Sequence, residues 1–225
     1  MKVTWLGQAG FLFENENIKI IVDPYLSDSC EKVNPRLFRR YPIDESFLKI
    51  EPDVIILTHS HLDHTDPDTL DFYLKDKKGV TVLASGNAWQ KVRTYGPEHN
   101  YVLFNEGTEF TVKGITFKAV YAEHSDDCAI GAVFSDGDKT YYVTGDTLYN
   151  KKVFDSVTDD IDVLFLPING VGNNMNIFDA YRFADKIDAE RTVPCHFSLF
   201  DEIKAQDIID RDDFVIPTPF KEIEL

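Results

Sequence analysis

Apolar residues occur along this chain in short runs that predict β-strands. Three runs follow one another at the N-terminus and are separated by turn-forming residues, as in successive hairpins. A fourth run, at residues 54–57, is apolar throughout, which is typical of a strand buried on both faces. The strands predicted in the first half of the chain cover residues 2–7, 10–14, 18–22, 54–57 and 80–84.

The middle of the chain, from about residue 101, alternates short apolar segments with Gly- and Asp-containing turns. Strand and helix patterns return after residue 144. The strands predicted in this half cover residues 109–112, 115–120, 129–134, 140–144, 163–166 and 192–195.

Three segments carry the signals of helices. A helix is predicted from Pro67 to about residue 75, because Asp66 can cap it and proline suits its first position. The second helix is predicted at residues 85–95. Asn176 can cap the third, whose apolar face would contain Ile177, Ala180, Tyr181, Ala184 and Ile187. The pattern as a whole predicts an α/β chain in which a β-sandwich is flanked by helices on both faces, as one domain of 225 residues.

The net charge of the chain excludes some classes of binding partner. It has 39 acidic and 23 basic residues, a net charge of -16, which argues against binding to nucleic acid or to an anionic membrane. The three cysteines lack paired spacing, no export signal is recognisable, and no apolar run is long enough to span a bilayer. We therefore expect a cytoplasmic protein that acts on a small-molecule substrate. The sequence is also compatible with a homo-oligomer.

The strand at residues 54–57 is followed by three histidines and an aspartate within six residues. His59 and His61 are two apart, so in an extended segment they lie on one face and can bind one metal ion. If the chain then turns, Asp63 and His64 reach a neighbouring position, which predicts two adjacent ions. The alternative is a histidine-rich surface loop.

Further candidate ligands also lie just beyond predicted strands. These are His124, Asp146 and His196. Asp23 ends the third strand, where it can orient a metal ligand or form a turn. His99 fits no such pattern and is expected in an exposed loop, while Cys195 is expected to face the core.

The order of these residues resembles the metallo-β-lactamase superfamily, whose pattern is His-x-His-x-Asp-His followed by a histidine, a Gly-Asp pair and a last histidine. The resemblance implies a four-layer αβ/βα sandwich of two mixed β-sheets with helices on both outer faces. It also implies two divalent ions, manganese or zinc, and a catalytic role for Asp63 and Asp146. The implied ligands are His59, His61 and His124 for the first ion, Asp63, His64 and His196 for the second, and Asp146 as the bridge.

Within that superfamily the chain is similar to the cytosolic branch that includes L-ascorbate-6-phosphate lactonase. The supporting segments are short and include residues 5–8, 145–149 and 193–196. The resemblance implies hydrolysis of a small, anionic lactone or ester by a hydroxide shared between two ions. A phosphodiesterase, a mononuclear-iron oxygen-using enzyme and a non-catalytic binding module are the alternatives.

Two segments are candidates for contact with the substrate. The candidate substrate-binding residues are Arg36, Arg39, Arg40, Asn169, Asn173 and Asn174. The arginines could bind a phosphate or carboxylate, or pair with surface acids. The asparagines could contact substrate, or provide the backbone angles of a tight loop. Tyr149, close to Asp146, is a third candidate catalytic residue, and aromatic packing is its alternative role.

Overall fold

A computed structural model describes residues 1–225, and its centre consists of two β-sheets. The strands are β1 (Lys2–Gly7), β2 (Gly10–Glu14), β3 (Lys19–Val22), β4 (Val54–Leu57), β5 (Thr81–Ala84), β6 (Asn100–Leu103), β7 (Glu109–Val112), β8 (Ile115–Tyr121), β9 (Ile130–Ser135), β10 (Thr140–Val143), β11 (Val163–Pro167), β12 (Arg191–Cys195) and β13 (Glu222–Ile223). The helices are α1 (Ser29–Val33), α2 (Pro67–Leu74), α3 (Gly86–Val92), α4 (Lys151–Asp155) and α5 (Ile177–Ile187).

Both sheets mix antiparallel and parallel pairing. The first has the order β13-β1-β2-β3-β4-β5-β6 and becomes parallel from β3 onward. The second has the order β12-β11-β10-β9-β8-β7 and is parallel from β10 to β12. The parallel strands end at the same edge of their sheet, where the loops that follow them can meet.

The central strands of the first sheet are apolar on both faces because each face packs against a different layer. In β2, Phe11 and Phe13 point into the space between the sheets, and Leu12 points outward. The ring of Phe11 lies 4.7 Å from that of Phe165, and Phe13 lies 5.0 Å from Phe134. These contacts join the two sheets into one core.

Helices cover the outer faces. Leu70 of α2 and Ala88 of α3 pack with Leu12 on the outside of the first sheet. On the second sheet, Phe183 of α5 lies 6.3 Å from Tyr142 of β10. The predicted α/β class, with two mixed sheets between layers of helices, is confirmed.

The predicted helix starts agree with the caps in the structure. Asp66 accepts hydrogen bonds from the amides of Asp68 and Thr69 at the start of α2, and Asn176 caps α5 in the same way. No helix of the structure combines the length and apolar character that crossing a bilayer requires.

His99 differs from its expected position in an exposed loop. It does lie in a loop, but it is half-buried: its Nδ1 accepts a hydrogen bond from the amide of Val80, and its Nε2 lies 2.8 Å from the carbonyl oxygen of Leu74. Its role is to join α2 to the loop before β6.

Candidate metal centre

Loops that follow six strands bring the candidate ligands to one edge of the sandwich. The residues and the strands that they follow are Gln8 (β1), Asp23 (β3), His59, His61, Asp63 and His64 (β4), His124 (β8), Asp146 (β10) and His196 (β12). Gly145 permits this convergence, because a Cβ at its position would lie 2.9 Å from both Thr58 and the carbonyl oxygen of Ile130.

The first group of donor atoms comes from three histidines. His61 Nδ1 lies 3.0 Å from His59 Nε2 and 3.1 Å from His124 Nε2. Three nitrogens that each bind one ion at about 2.0–2.1 Å are separated by about 3 Å, so the spacing fits a shared cation. The group therefore has a donor type and a separation that fit a divalent metal ion.

A second group contains Asp63, His64 and His196, with donor atoms within 4.8 Å of one another. His196 Nε2 lies 3.3 Å from Asp63 Oδ2, and His64 Nε2 lies 3.8 Å from the same oxygen. Imidazole and carboxylate donors in this arrangement also fit a divalent cation.

Asp146 lies between the two groups. Its Oδ1 is 3.4 Å from His64 Nε2, while its Oδ2 is 3.2 Å from His196 Nε2 and 3.9 Å from His124 Nε2. Asp146 Oδ1 and His64 Nε2 are both buried and have no hydrogen-bond partner. Because buried polar atoms are nearly always paired, these two atoms fit a cation as their partner.

Asp23 holds two of the imidazole rings in orientation. Its Oδ2 lies 2.8 Å from His64 Nδ1, and its Oδ1 accepts a hydrogen bond of 2.8 Å from the amide of Thr58. The Thr58 hydroxyl donates to Asp23 and lies 3.1 Å from His59 Nδ1. Both rings therefore direct Nε2 toward the shared site, which is the geometry that carboxylate partners give to metal-binding histidines.

The carboxylates strongly affect protonation of the imidazoles. Burial lowers the pKa of His64, but Asp146, Asp63 and Asp23 raise it well above its usual value. Burial also opposes the charged form of His196, yet Asp146 and Asp63 raise its pKa to about 10. Since cations and protons compete for these nitrogens, metal binding should release protons.

The pKa values of two other histidines, His59 and His124, shift in the opposite direction. Burial lowers the pKa of His59 well below its usual value, and the neighbouring His64 adds to this effect. Burial likewise lowers the pKa of His124. Both rings are therefore neutral near pH 7, as metal ligands must be.

Gln8 is a site residue that the sequence analysis missed. Its Nε2 donates a hydrogen bond of 2.8 Å to Asp63 Oδ2 and lies 3.1 Å from His196 Nε2. Its backbone oxygen accepts a hydrogen bond of 2.8 Å from the amide of His196. The available signal was a polar residue between glycines at the end of an apolar strand, but that pattern is equally typical of a turn.

Asp126 is a second residue that the sequence analysis missed. Its carboxylate accepts hydrogen bonds from the amide of Ser60 at 2.8 Å, from Asn87 Nδ2 at 2.6 Å and from the amide of Cys128 at 2.9 Å. Although burial opposes it, these hydrogen bonds lower the pKa of Asp126 to about 2. Asp126 thereby ties the loop of His59 and His61 to the loop of His124.

The three candidate asparagines lie at the site. Asn174 donates a hydrogen bond of 2.9 Å to Asp146 Oδ2. The side chain of Asn169 lies 2.9 Å from His196 Nδ1, and the backbone oxygen of Asn173 lies 3.2 Å from His124 Nδ1. These three residues contact the candidate metal ligands.

The three candidate arginines do not line the cavity beside the site. Arg39 lies over the rings of Tyr25 and Tyr41 and donates to the carbonyl oxygen of Tyr25 at 3.1 Å. Arg40 pairs with Glu202 at 3.3 Å, and Arg36 is exposed. The geometry therefore gives no support to their predicted role in substrate binding.

Tyr149, the third candidate catalytic residue, packs outside this cavity. The guanidinium carbon of Arg182 lies 4.1 Å from the centre of its ring, and the ring of Phe154 lies at 5.6 Å. Its contacts correspond to aromatic packing, the alternative that the sequence also allowed.

A cavity of about 570 Å³ lies beside the two groups of donor atoms. His61, Asp63, Asp146 and His196 face it on one side. Its volume is in the range of sites for small molecules.

Comparison with known proteins agrees with this geometry. Residues 19–197 match the model of the β-lactamase superfamily domain. A UPF0173 metal-dependent hydrolase of Carboxydothermus hydrogenoformans is 32% identical, over 91% of this chain and 88% of its own length. A UPF0173 metal-dependent hydrolase of Staphylococcus aureus strain Newman is 31% identical, over 89% of this chain and 87% of its own.

A solved structure shows the same fold over the whole chain. The isothiocyanate hydrolase from Delia radicum gut bacteria superimposes with a TM-score of 0.78 and 20% identity, covering 100% of this chain and 99% of its own. Together with the ligand order and the two groups of donor atoms, the family match settles the relationship. The chain belongs to the metallo-β-lactamase superfamily, among the UPF0173 metal-dependent hydrolases.

Proposed function

We propose that the chain hydrolyses a small ester or lactone with two divalent cations, manganese or zinc. The observation that carries the proposal is the position of Asp146 between two groups of three donor atoms. The proposed ligands are His59, His61 and His124 for the first ion, Asp63, His64 and His196 for the second, and Asp146 for both. A carboxylate can serve two cations because each of its oxygens can bind one.

Held by these residues, two divalent ions would supply an acidified water molecule and electrostatic stabilisation of a developing oxyanion. The residues around them keep the ligands in place. Asn174 donates to Asp146, Gln8 donates to Asp63, and Asp23 orients His64. In this proposal they limit the ways in which the ligands can rotate, so that the reacting groups meet in one geometry.

We prefer ester and lactone hydrolysis to phosphodiester hydrolysis and to the chemistry of a single-iron enzyme, for a different reason in each case. The short segments similar to the lactonase branch favour a carbonyl substrate over a phosphodiester. An enzyme with a single iron ion would leave Asp63, His64 and His196 without a role, although their donor atoms converge. The three free cysteines support a reducing, cytoplasmic location for the reaction.

The anionic character expected of the substrate came from the resemblance to the lactonase branch, and Arg36, Arg39 and Arg40 were the candidate residues for binding its charge. Those side chains lie outside the residues that line the cavity, so we do not include a negative charge in the proposed substrate.

Purified protein reconstituted with manganese or zinc tests the proposal on a panel of esters, lactones and bis(p-nitrophenyl) phosphate. We expect metal-dependent hydrolysis of carbonyl substrates, and a loss of at least about a hundredfold in kcat/KM in His61→Ala. His99→Gln is the matched control, because His99 lies outside the centre. Turnover of the phosphodiester alone, or full activity in His61→Ala, would contradict the proposal.

A further inference from the structure

One wall of the cavity beside the metal centre is apolar. Its members are Val33, Leu37, Leu62, Val171 and Phe200. Three of them, Leu37, Leu62 and Phe200, pack against a small buried cluster formed by Tyr25, Cys30 and Leu199. Because these three side chains pack against that cluster, and Cys30 of the cluster also lines the cavity, the apolar surface is part of the folded structure.

The two remaining members of this wall, Val33 and Val171, lie at the rim of the cavity. Val33 is 76% exposed and Val171 is 65% exposed. They belong to different segments, one at the end of α1 and the other in the loop after β11. A ligand with a hydrocarbon group can remove both from water, which favours its binding.

The cavity has no permanently charged basic side chain to pair with an anion. Lysine and arginine are absent from its lining, and the acidic residues there are Asp63, Asp146 and Asp201. The carboxylate of Asp201 is held by the amides of Ser198 and Ile203, each at 2.9 Å. A substrate carboxylate or phosphate would therefore find no guanidinium or ammonium partner on this wall.

Bound cations would bring the net charge of the cavity close to zero. Two divalent ions with two carboxylate ligands and one hydroxide would leave about one positive charge, and Asp201 offsets it at the cavity. The net charge of -16 on the chain also repels anions that approach from solution.

We infer that the cavity selects substrates whose group next to the scissile bond is uncharged and apolar. The substrate class is an alkyl or aryl ester, or an alkyl-substituted lactone, rather than a phosphorylated or carboxylated one. The inference rests on the proposed hydrolysis and adds the chemistry of the group that the apolar wall contacts. Each methylene added to that group should raise kcat/KM by about two- to fourfold until the cavity of about 570 Å³ is filled.

A matched pair of substrates tests the selectivity. The p-nitrophenyl esters of butyrate and of succinate have the same leaving group and acyl chains of the same length, but only the second carries a charge. We expect kcat/KM to be at least about tenfold higher for the butyrate ester. Equal values, or preference for the succinate ester, would overturn the inference.

A binding measurement separates this inference from the proposed hydrolysis. Butyryl hydroxamate and the monohydroxamate of succinate are compared by calorimetry on the metal-loaded protein. Tighter binding of the uncharged hydroxamate without turnover of any ester would support the apolar cavity and contradict the hydrolysis. Ester turnover together with tighter binding of the charged hydroxamate would contradict the apolar cavity and leave the hydrolysis standing.

Charge variants at the rim provide the structural control. Val171→Lys should shift the ratio of kcat/KM toward the succinate ester by at least about fivefold, because it places an ammonium at the cavity. Val33→Lys, at the end of α1, should shift the same ratio in the same direction. Phe178→Lys is the matched control, since Phe178 is 73% exposed but does not line the cavity. An equal shift in all three variants, or no shift in either rim variant, would contradict the inference.

Discussion

Three residues at the centre have backbone angles that favour glycine. Gln8, Asp23 and His196 have φ values of 49°, 42° and 57°. Non-glycine residues adopt this region rarely, and it costs about 1–3 kcal/mol where the surroundings enforce it. Each of the three ends a strand and directs its side chain to the site. Three of the strained backbone positions of the chain therefore lie where the ligands converge.

Asp23→Asn tests whether the negative charge of this carboxylate contributes to metal binding. Asparagine tolerates the left-handed backbone and keeps an acceptor for the Thr58 amide, but its neutral amide holds His64 less firmly. We expect the affinity for metal to fall about 10- to 100-fold, as measured by calorimetric titration. Asp188→Asn is the control, because Asp188 has a similar φ of 58° and lies exposed at the end of α5. An unchanged affinity in Asp23→Asn would show that Asp23 does not support the centre.

The seven candidate ligands could be predicted from the sequence, because their residue types and order follow the ligand pattern of the superfamily. The sequence did not identify Gln8 or Asp126. Each is one polar residue in a loop, and its contact with the site depends on segments distant in the sequence: Gln8 reaches Asp63, and Asp126 holds the amide of Ser60. No local pattern distinguishes such a residue from an ordinary turn residue.

At the scale of elements, α5 depends on its cap and on one apolar face. Asn176 accepts hydrogen bonds from the amides of Phe178 and Asp179. The helix presents Ala180, Phe183 and Ala184 to the core, and its remaining side chains are partly or fully exposed. The cap therefore fixes the start of the helix that covers the second sheet.

Asn176→Ala should reduce the free energy of unfolding by about 1 kcal/mol, because two helix amides lose their acceptor. For a chain of this size, that corresponds to a fall in Tm of about 2–4 °C, measurable by calorimetry. Asn100→Ala, at an exposed position of β6, should change the free energy by less than about 0.5 kcal/mol. Equal effects of the two substitutions would mean that the cap contributes nothing.

Most of the elements that sequence patterns predicted have a large buried surface, although the predicted strand β7 is an edge strand without a buried residue. β4 matches the predicted strand at residues 54–57, and α2 begins at the predicted Pro67. The missed elements are short or lie at an edge: α1 and α4 have five residues each, β13 has two, and β6 is the exposed edge strand of its sheet. Their conformation depends on neighbouring elements more than on local periodicity.

At the scale of the whole molecule, the two sheets form a rigid support for a site made of loops. The shared core between the sheets fixes where β4, β8, β10 and β12 end, and so fixes the distances between ligands that are far apart in the sequence. The pattern of strands predicted the sandwich, but the cavity depends on loops that no periodicity describes. For that reason the family was recognisable from the sequence, whereas the apolar wall required the structure.

We propose that seven side chains hold two cations. Metal content after equilibrium dialysis against manganese or zinc, measured by mass spectrometry, tests this number. We expect about two ions per chain for the natural sequence and about one for His61→Ala, with the folded state of the variant confirmed by circular dichroism. A single ion in the natural sequence, or two ions retained in His61→Ala, would contradict the proposal.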